Sequence, residues 1–158
     1  MSDNPVAIVT GGSRGVGAAT AKMLSENGWN VLITCSSSIA EADKVAKSCS
    51  NESAQVHALQ ADVSNDSDCI ATINKAIELW GRIDTLINNA GTTKFAWDHS
   101  DLNSLDAEDF QRIYAVNVVG PFQMVKAAKE HLLKSANPCI VNISSIAGIK
   151  GIGSSVAY

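Results

Sequence analysis

A glycine-rich segment near the start of the chain has the residue types and spacing of a phosphate-binding turn. It joins an apolar run to a helical pattern and reads Thr10-Gly11-Gly12-Ser13-Arg14-Gly15-Val16-Gly17. Glycines permit a close approach of backbone to a diphosphate, and the start of the next helix offers free N–H groups and a positive dipole end. Glycines also serve ordinary turns, and the spacing Gly11-x-x-x-Gly15-x-Gly17 does not match the general G-x-G-x-x-G fingerprint. The position between strand and helix nevertheless favours phosphate binding.

The histidines and cysteines do not form a pattern typical of a metal site or a disulfide framework. The three histidines are scattered along the chain, and no two of the four cysteines have C-x-x-C spacing. We therefore expect no bound metal, and we expect free thiols in a reducing compartment such as the cytoplasm.

The elements that must position these residues alternate between apolar runs and helical patterns, which predicts an α/β fold. Runs typical of buried strands cover residues 6–10, 31–34, 55–60, 84–88 and 139–143. Helical patterns cover 15–27, 39–50, 66–80 and 107–135, with Asn65 or Asp66 and then Asp106 as candidate caps. Gly120 and Pro121 predict a kink or break in the last pattern. Residues 148–153 are expected to form a flexible loop, and residues 154–158 the opening of a helix.

Alternating strands and helices imply right-handed crossovers and a parallel sheet covered on both faces. The expected architecture is a Rossmann-type doubly wound sheet with strand order 3-2-1-4-5, in a single domain over residues 1–158. Ligands bind such sheets beyond the carboxyl ends of the strands, so functional residues should follow strands one, two, four and five. In the first helical pattern the apolar positions Val16, Ala19, Met23 and Leu24 fall near helical spacing.

Charge and hydropathy argue against several classes of partner. The net charge is −4 and the pI about 5.2, whereas proteins that bind nucleic acid or anionic membranes favour a basic face. No apolar run reaches the length of about 18 residues that a membrane-spanning helix needs. The first five residues lack the basic stretch and apolar run of a secretory signal, which agrees with a cytoplasmic protein.

Four motifs, in order along the chain, resemble those of the short-chain dehydrogenase/reductase family. The glycine-rich turn looks like the family's T-G-x-x-x-G-x-G, and Asn88-Asn89-Ala90-Gly91 is similar to its N-N-A-G after strand four. Asn117 stands where the family has its helix asparagine, and Ser144-Ser145 followed by Tyr158 resembles its serine–tyrosine pair. The resemblance covers the whole chain. It implies an oxidoreductase that transfers hydride between a nicotinamide cofactor and a ketone or secondary alcohol.

The resemblance also implies which residues contact the dinucleotide. Asp62 would meet the adenine amino group and Val63 would pack on the ring, although Asp62 could instead be a loop residue or a helix cap. Small residues after strand four would lie under the ribose and nicotinamide. The expected contact residues are Gly11, Ser13, Arg14, Gly15, Val16, Gly17, Ser36, Asp62, Val63, Asn89, Ala90 and Gly91.

The end of strand two favours NADP(H) over NAD(H). Enzymes that use NAD commonly place Asp or Glu there to bind the ribose hydroxyls, but this chain has Cys35 followed by Ser36. A carboxylate would repel the 2′-phosphate of NADP, whereas Arg14 could pair with it through a planar fork of donors and Ser36 could add a hydrogen bond. The alternative is that Arg14 is a solvated turn residue.

By the same resemblance, Tyr158, Ser145 and Asn117 are the candidate catalytic residues. Tyr158 would be the acid/base, assisted in the family by a lysine four residues later, a position beyond the end of this sequence. Ser145 is preferred to Ser144 as the donor to the substrate oxygen, because its distance from the tyrosine matches the family's. The carbonyl of Asn117 would hold a water of the proton relay, unless Asn117 only bonds neighbouring backbone.

The chain is therefore expected to be the cofactor-binding portion of such an enzyme, with the sheet incomplete after strand five and little or no activity alone. A homodimer or homotetramer is expected for the intact protein, because relatives use the helix containing Asn117 as an interface. Reduction of 3-oxoacyl-carrier-protein is a candidate reaction, since the glycine-rich turn with Arg14 resembles that of such reductases. The acidic chain shows no clear basic patch for an acidic carrier protein, however. The alternative function is a non-catalytic sensor of NADPH.

Overall fold

The computed structural model describes residues 4–151 and 153–158, and its core is one parallel sheet. The strand order is β3-β2-β1-β4-β5, which confirms the predicted Rossmann-type arrangement. Residues 1–3 of the N-terminal segment and Ile152 of the predicted loop lie outside the described residues. The strands are β1 (Val6–Val9), β2 (Asn30–Cys35), β3 (Val56–Gln60), β4 (Thr85–Asn88) and β5 (Cys139–Asn142).

Helices cover both faces of the sheet. They are α1 (Gly15–Glu26), α2 (Ile39–Cys49), α3 (Asp66–Trp80), α4 (Ala107–Tyr114), α5 (Gly120–Leu132) and α6 (Ala147–Lys150). Both predicted caps are present: the Asn65 side chain accepts from the N–H of Ser67, and Asp106 forms a capping box with Asp109. A short 3₁₀ helix (Leu102–Ser104) precedes α4.

The central strands are buried on both sides, which explains their continuous apolar runs. Ile8 and Leu32 point into a core formed with α3 and α5, whereas Val9 and Ile33 point into a second core formed with α1 and α2. Every residue of β1 and β2 is buried, while all four residues of the edge strand β5 are exposed. The sheet is therefore most firmly supported where β1 meets its two neighbours.

The predicted first helix is present, and small residues form the side of α1 that packs on the sheet. Its buried residues are Gly17, Ala21 and Ser25, whereas Val16 and Met23 are 59% and 67% exposed. Of the four apolar positions at helical spacing, Leu24 packs against the core.

A π-helix (Ala115–Val119) between α4 and α5 replaces the predicted kink at Gly120 and Pro121. Pro121 lies in the first turn of α5, where a missing N–H is tolerated best. In an unbroken α-helix, residue 121 would donate to the carbonyl of Asn117, and proline has no N–H to donate. The sequence thus located the irregularity but not its form.

Two predictions near the end of the sequence were wrong. The expected loop 148–153 begins with the short helix α6, which Gly151 ends with a φ of 63°. Residues 154–158 form a turn, closed by a bond from the N–H of Tyr158 to the carbonyl of Ser155 at 3.3 Å. A helix would need the carbonyl of Ser154 to accept from Tyr158. That carbonyl instead accepts from the N–H of Ala96 at 2.6 Å.

At the amino ends of β1 and β4, the buried carboxylate of Asp84 accepts four hydrogen bonds. The donors are the N–H of Val6 (2.8 Å), Nε and Nη2 of Arg82 (2.9 and 2.8 Å) and the hydroxyl of Ser135 (2.6 Å). Burial raises the pKa of Asp84, but these donors outweigh it and hold the pKa below its usual range. The resulting stability is present above the unfolded pKa of about 3.9 and is lost as the pH falls through the folded value.

We expect Asp84→Asn to lower the free energy of unfolding at pH 7 by about 3 kcal/mol, because an amide cannot satisfy four donors in a buried site. The variant should also lose less stability than the wild type on acidification from about pH 5 to about pH 3, since the titrating charge is gone. Urea unfolding at these pH values measures both effects. Asp43→Asn, at an exposed position of α2, is the matched control. Equal acid sensitivity of wild type and Asp84→Asn would contradict the assignment.

Candidate functional site

The glycine-rich turn brings the carboxyl ends of β1 and β4 into backbone contact. Gly11 has a φ of +67°, and a Cβ built there would lie 2.9 Å from the Cα of Ala90. A Cβ at Gly17 would lie 2.5 Å from the carbonyl oxygen of Gly11 and 2.5 Å from Nδ2 of Asn89. Neither position can carry a side chain without displacing this neighbour, so the two strand ends can approach this closely only with glycine there.

Thr10 and Asn89 hold the two strand ends together with four hydrogen bonds. The N–H groups of Asn89 and Ala90 both donate to the hydroxyl of Thr10 at 3.0 Å. In the other direction, Nδ2 of Asn89 donates to the carbonyls of Thr10 (2.8 Å) and Gly11 (3.0 Å). Sequence reasoning did not assign a role to Thr10. The available signal was a hydroxyl at the end of an otherwise apolar strand, directly before the glycines.

Helix α1 starts beside this turn without a side-chain cap. Arg14 occupies the N-cap position, makes no side-chain cap bond, and is followed by a first turn that has no acidic residue. Gly15 and Val16 are exposed. The N–H groups and the positive dipole end of α1 are therefore available to an anion, and this arrangement fits a diphosphate.

A cleft of about 510 Å³ opens at the carboxyl ends of the strands, within the range of about 300–1,000 Å³ that ligand pockets occupy. Nine of the twelve expected contact residues line it: Gly11, Ser13, Arg14, Ser36, Asp62, Val63, Asn89, Ala90 and Gly91. Gly15, Val16 and Gly17 begin α1 directly after this lining segment.

Helix α4 and the π-helix supply a part of the cleft wall that sequence reasoning missed. Arg112, Ala115 and Val116 line the cleft. Their spacing puts them on one helix face, so the period of the helix could have grouped them. Nothing in the sequence, however, indicated that this face turns toward the glycine-rich turn.

The β2 end of the cleft carries no carboxylate on its strand. Cys35 is the last residue of β2 and only 4% exposed. Burial, together with the negative charge of Asp43, raises the pKa of the Cys35 thiol, so the thiol is neutral at pH 7. The side chain of Arg14 lines the same cleft and makes no hydrogen bond or ion pair with another residue of 4–151 or 153–158. Its guanidinium is thus available to a ligand.

The loop after β3 presents Asp62 and Val63 to the cleft through a set of local bonds. Oδ1 of Asp62 accepts from the N–H (2.9 Å) and hydroxyl (2.7 Å) of Ser64, and the N–H of Asp62 donates to Asp68 at 2.9 Å. The carbonyl of Val63 accepts from Gln123 at 2.9 Å. Asp62 therefore does serve as a turn residue. Its second oxygen, Oδ2, makes no hydrogen bond to another residue in the described part of the chain.

A second cleft, of about 440 Å³, shares residues 89–91 with the first. All three candidate catalytic residues line it: Asn117, Ser145 and Tyr158. Ser144, the less favoured serine, lines it as well. The hydroxyl of Ser145 accepts from the N–H of Ala147 at 3.2 Å, which also gives it the role of an ordinary strand-end serine. The structure thus gathers the three residues around one cavity at the end of the first cleft.

The side chain of Asn117 holds the segment that follows the N-N-A-G turn. Its Oδ1 accepts from the N–H of Thr92 at 2.8 Å, and its Nδ2 donates to the carbonyl of Thr92 at 2.9 Å. The alternative hypothesis for Asn117 was a bond to neighbouring backbone. Its partner in the structure, Thr92, lies 25 positions away in the sequence. The amide of Asn117 therefore positions the strand-four loop.

The described part of the chain contains no group of three or more His, Cys, Asp or Glu side chains that could hold a metal ion. All four cysteines are unpaired thiols, of which Cys139 alone is exposed. No helix within residues 4–151 or 153–158 combines the length and hydropathy that crossing a membrane requires.

Comparison with known proteins agrees with this geometry. The sequence profile of the family described as short chain dehydrogenase matches residues 5–158. "Granaticin polyketide synthase putative ketoacyl reductase 2" of Streptomyces violaceoruber is 38% identical over 154 residues, which cover 98% of this chain and 60% of that protein. The 3-oxoacyl-[acyl-carrier-protein] reductase of Synechocystis is 36% identical over 146 residues, which cover 92% of this chain and 58% of that protein. The chain thus spans less than two thirds of the length of these curated relatives.

Solved structures share the whole fold. The crystal structure of a "putative short-chain dehydrogenase/reductase" from Burkholderia xenovorans matches with a TM-score of 0.94 and 40% identity, covering 100% of this chain and 66% of that one. A xylitol dehydrogenase bound to NAD⁺ matches with a TM-score of 0.87 and 29% identity, covering 100% of this chain and 60% of that one. A metagenomic short-chain oxidoreductase in complex with NADP matches with a TM-score of 0.86 and 28% identity, covering 98% of this chain and 68% of that one. The family match over nearly the whole chain, carried by the same sheet and the same motifs, shows that this chain belongs to the short-chain dehydrogenase/reductase family.

Proposed function

We propose that the protein is an NADP(H)-dependent oxidoreductase that transfers hydride between the nicotinamide and a ketone or secondary alcohol. The observation that carries this proposal is the junction of two clefts at residues 89–91. One cleft has the features of a dinucleotide site, and the other gathers a phenol, a hydroxyl and a helix asparagine. Solved relatives bound to NAD⁺ and to NADP support a nicotinamide cofactor.

The residues of the first cleft would hold a dinucleotide along its length. The uncapped start of α1 and the backbone of Ser13 would hold the diphosphate. The unbonded Oδ2 of Asp62 would accept a hydrogen bond from the adenine, and Val63 would pack on its ring. Gly91 would lie at the other end, where the two clefts join. When bound, the cofactor supplies or accepts the hydride, and the chain supplies binding and proton chemistry.

A preference for NADP(H) over NAD(H) follows from the charges at the β2 end. Cys35 is neutral and Ser36 uncharged, so neither residue repels a 2′-phosphate, whose charge is roughly −1.5 to −2 near neutral pH. The unpaired guanidinium of Arg14 on the same cleft would pair with that phosphate through two parallel hydrogen bonds.

In the second cleft the proton chemistry falls to three residues. The phenol of Tyr158 would donate a proton to the developing alkoxide during reduction, and accept it during oxidation. The hydroxyl of Ser145 would donate a hydrogen bond to the same oxygen and stabilise its growing charge. The side-chain amide of Asn117 already bonds the backbone of Thr92. Its backbone carbonyl receives no hydrogen bond from Pro121, which has no N–H. The backbone carbonyl is therefore the group of Asn117 that would hold a relay water.

The substrate proposed first is a small ketone or secondary alcohol, and a 3-oxoacyl thioester is the more specific candidate. The printed names of two relatives, a ketoacyl reductase and a 3-oxoacyl-[acyl-carrier-protein] reductase, favour that candidate. The gathering of Ser145 and Tyr158 around one cavity favours an enzyme over a non-catalytic sensor of NADPH.

A homodimer or homotetramer of the whole protein is proposed from an exposed apolar stripe. Its members recur every four residues from α4 through the π-helix into α5, and they are 47–67% exposed: Phe110, Tyr114, Val118 and Phe122. A second copy would remove this stripe from water. A reducing compartment, the cytoplasm, suits the unpaired thiols.

Replacing Tyr158 by Phe in the full-length protein should lower kcat by at least about a hundredfold, because general acid–base catalysis typically contributes 10²–10⁴-fold. The Kd for NADPH should stay within about twofold, since the phenol is assigned to proton transfer rather than cofactor binding. Turnover of a ketone substrate and NADPH fluorescence titration measure the two quantities. Tyr114→Phe, at the other tyrosine of the chain, is the matched control. Wild-type kcat in Tyr158→Phe would show that another group is the acid.

Arg14→Ala should weaken NADPH binding by about tenfold or more, because a charge-assisted hydrogen bond contributes about 1.5–3 kcal/mol. NADH binding should change little, since NADH lacks the 2′-phosphate. Conversely, Cys35→Asp should favour NADH, because a carboxylate repels the phosphate and can bind the ribose hydroxyls. Calorimetric titration of both cofactors tests this, with Lys22→Ala on the exposed face of α1 as the control. Tighter binding of NADH than of NADPH by the wild type would overturn the proposed preference.

A further inference from the structure

Thr92, directly after the N-N-A-G turn, is held by three side-chain bonds from one helical segment. Asn117 supplies two of them, to the N–H and carbonyl of Thr92. The third comes from Arg112, whose Nη1 donates to the hydroxyl of Thr92 at 2.8 Å. Both Arg112 and Thr92 line the first cleft, and neighbouring Gly91 lines both clefts. The bond therefore lies on the wall where the two clefts join.

The guanidinium of Arg112 is itself oriented from the other side. Its Nη2 lies 3.6 Å from Oδ1 of Asp109, and Oδ2 of Asp109 is paired with Lys94. Asp109 is fixed in turn by its capping box with Asp106 at the start of α4. The Lys94 side chain holds the pKa of Asp109 below its usual range, so the carboxylate that orients Arg112 stays charged near neutral pH.

Two anchors thus act on Thr92 by different routes. The Asn117 amide fixes the backbone of Thr92, and it comes from the π-helix. The chain Lys94–Asp109–Arg112 fixes the side chain of Thr92. Asp109 lies in the first turn of α4 and Arg112 in its last turn, whereas Lys94 belongs to the loop after β4. A backbone held on both sides of a cleft wall has little freedom to move toward or away from a ligand.

We propose that Arg112 is a positioning residue: through its bond to the Thr92 hydroxyl it sets the wall formed by Gly91 and Thr92 at the nicotinamide end of the cofactor cleft. The inference rests on the proposed function, since it assumes that a nicotinamide dinucleotide occupies this cleft. The far end of the cleft, with Arg14 and Ser36, has no contact with this bond. The proposal therefore separates the two halves of the cofactor: Arg112 affects the nicotinamide half and leaves the adenosine half unchanged.

The test uses Arg112→Met, Thr92→Val and the double variant in the full-length protein, with NADPH and 2′,5′-ADP as probes. Each single variant should raise the Kd for NADPH up to about tenfold, because the bond orders the wall before the cofactor binds and its loss adds an ordering cost to binding. The double variant should be no weaker than either single one, because both remove the same bond. The Kd for 2′,5′-ADP, which contains only the adenosine half, should stay within about twofold of the wild type. The emission of bound NADPH should shift toward that of the free cofactor.

Control variants separate this role from general loss of structure. Thr92→Val replaces one oxygen by a methyl group and keeps the backbone bonds to Asn117, so it reports on the hydroxyl even where Arg112→Met fails to fold. Lys126 on α5 forms a surface ion pair (3.0 Å) with Asp66 at the start of α3, and it does not line the cleft. The variant Lys126→Met removes this ion pair and should bind both probes like the wild type.

Three results would overturn the proposal. Weaker binding of both probes by Thr92→Val would indicate a general structural role. Unchanged NADPH binding in both single variants would show that the Arg112–Thr92 bond has no effect on cofactor binding. Weaker NADPH binding in Arg112→Met but not in Thr92→Val would mean that Arg112 contacts the cofactor directly. If the wild type binds neither NADPH nor 2′,5′-ADP, the proposed function itself fails, which the wild-type titration alone reveals.

Discussion

The hydrogen bonds between Thr10 and Asn89 are the constraint on which the rest of the site depends. They join the carboxyl ends of β1 and β4 at the point where the strand order reverses, where a doubly wound sheet forms its ligand crevice. The same bonds require the backbone contact between Gly11 and Ala90, which excludes side chains. Gly17 of α1 packs against the same junction, since a Cβ there would lie 2.5 Å from Nδ2 of Asn89.

Sequence reasoning succeeded where local pattern and physical requirement coincide. Buried central strands must be continuously apolar, so β1 and β2 were recognisable, and their alternation with helices predicted the parallel order. It failed where a distant contact decides. Residues 154–158 do not start a helix, because Ala96, far away in the sequence, binds the carbonyl of Ser154.

The candidate site likewise contains some residues that a local pattern reveals and others whose role depends on a distant contact. The glycine-rich turn, the N-N-A-G turn and Ser145 could be named in advance, because each follows a strand whose end lies at a known edge of the sheet. Asn117 and Tyr158 were named from the family resemblance alone. The roles of Thr10 and Arg112 could not, because each acts through a partner on another element: Thr10 through Asn89, and Arg112 through Thr92. A hydroxyl or guanidinium has no signature in the sequence for what it will contact. Spacing can place such groups on a face, but only the packing of the elements decides what that face meets.

The two halves of the site are supported very differently. The dinucleotide half lies at the ends of β1, β2 and β4, whose residues are buried. The half that carries Ser145 and Tyr158 follows the exposed edge strand β5, which Asn142 links to β4 through a bond to Asn88 at 2.9 Å. The loop after β4 bonds Ser154, four residues before Tyr158, through the hydroxyl of Thr93 and the N–H of Ala96. That loop begins at Thr92, so the anchors on Thr92 bear on the segment that carries Tyr158 as well as on the wall of the first cleft.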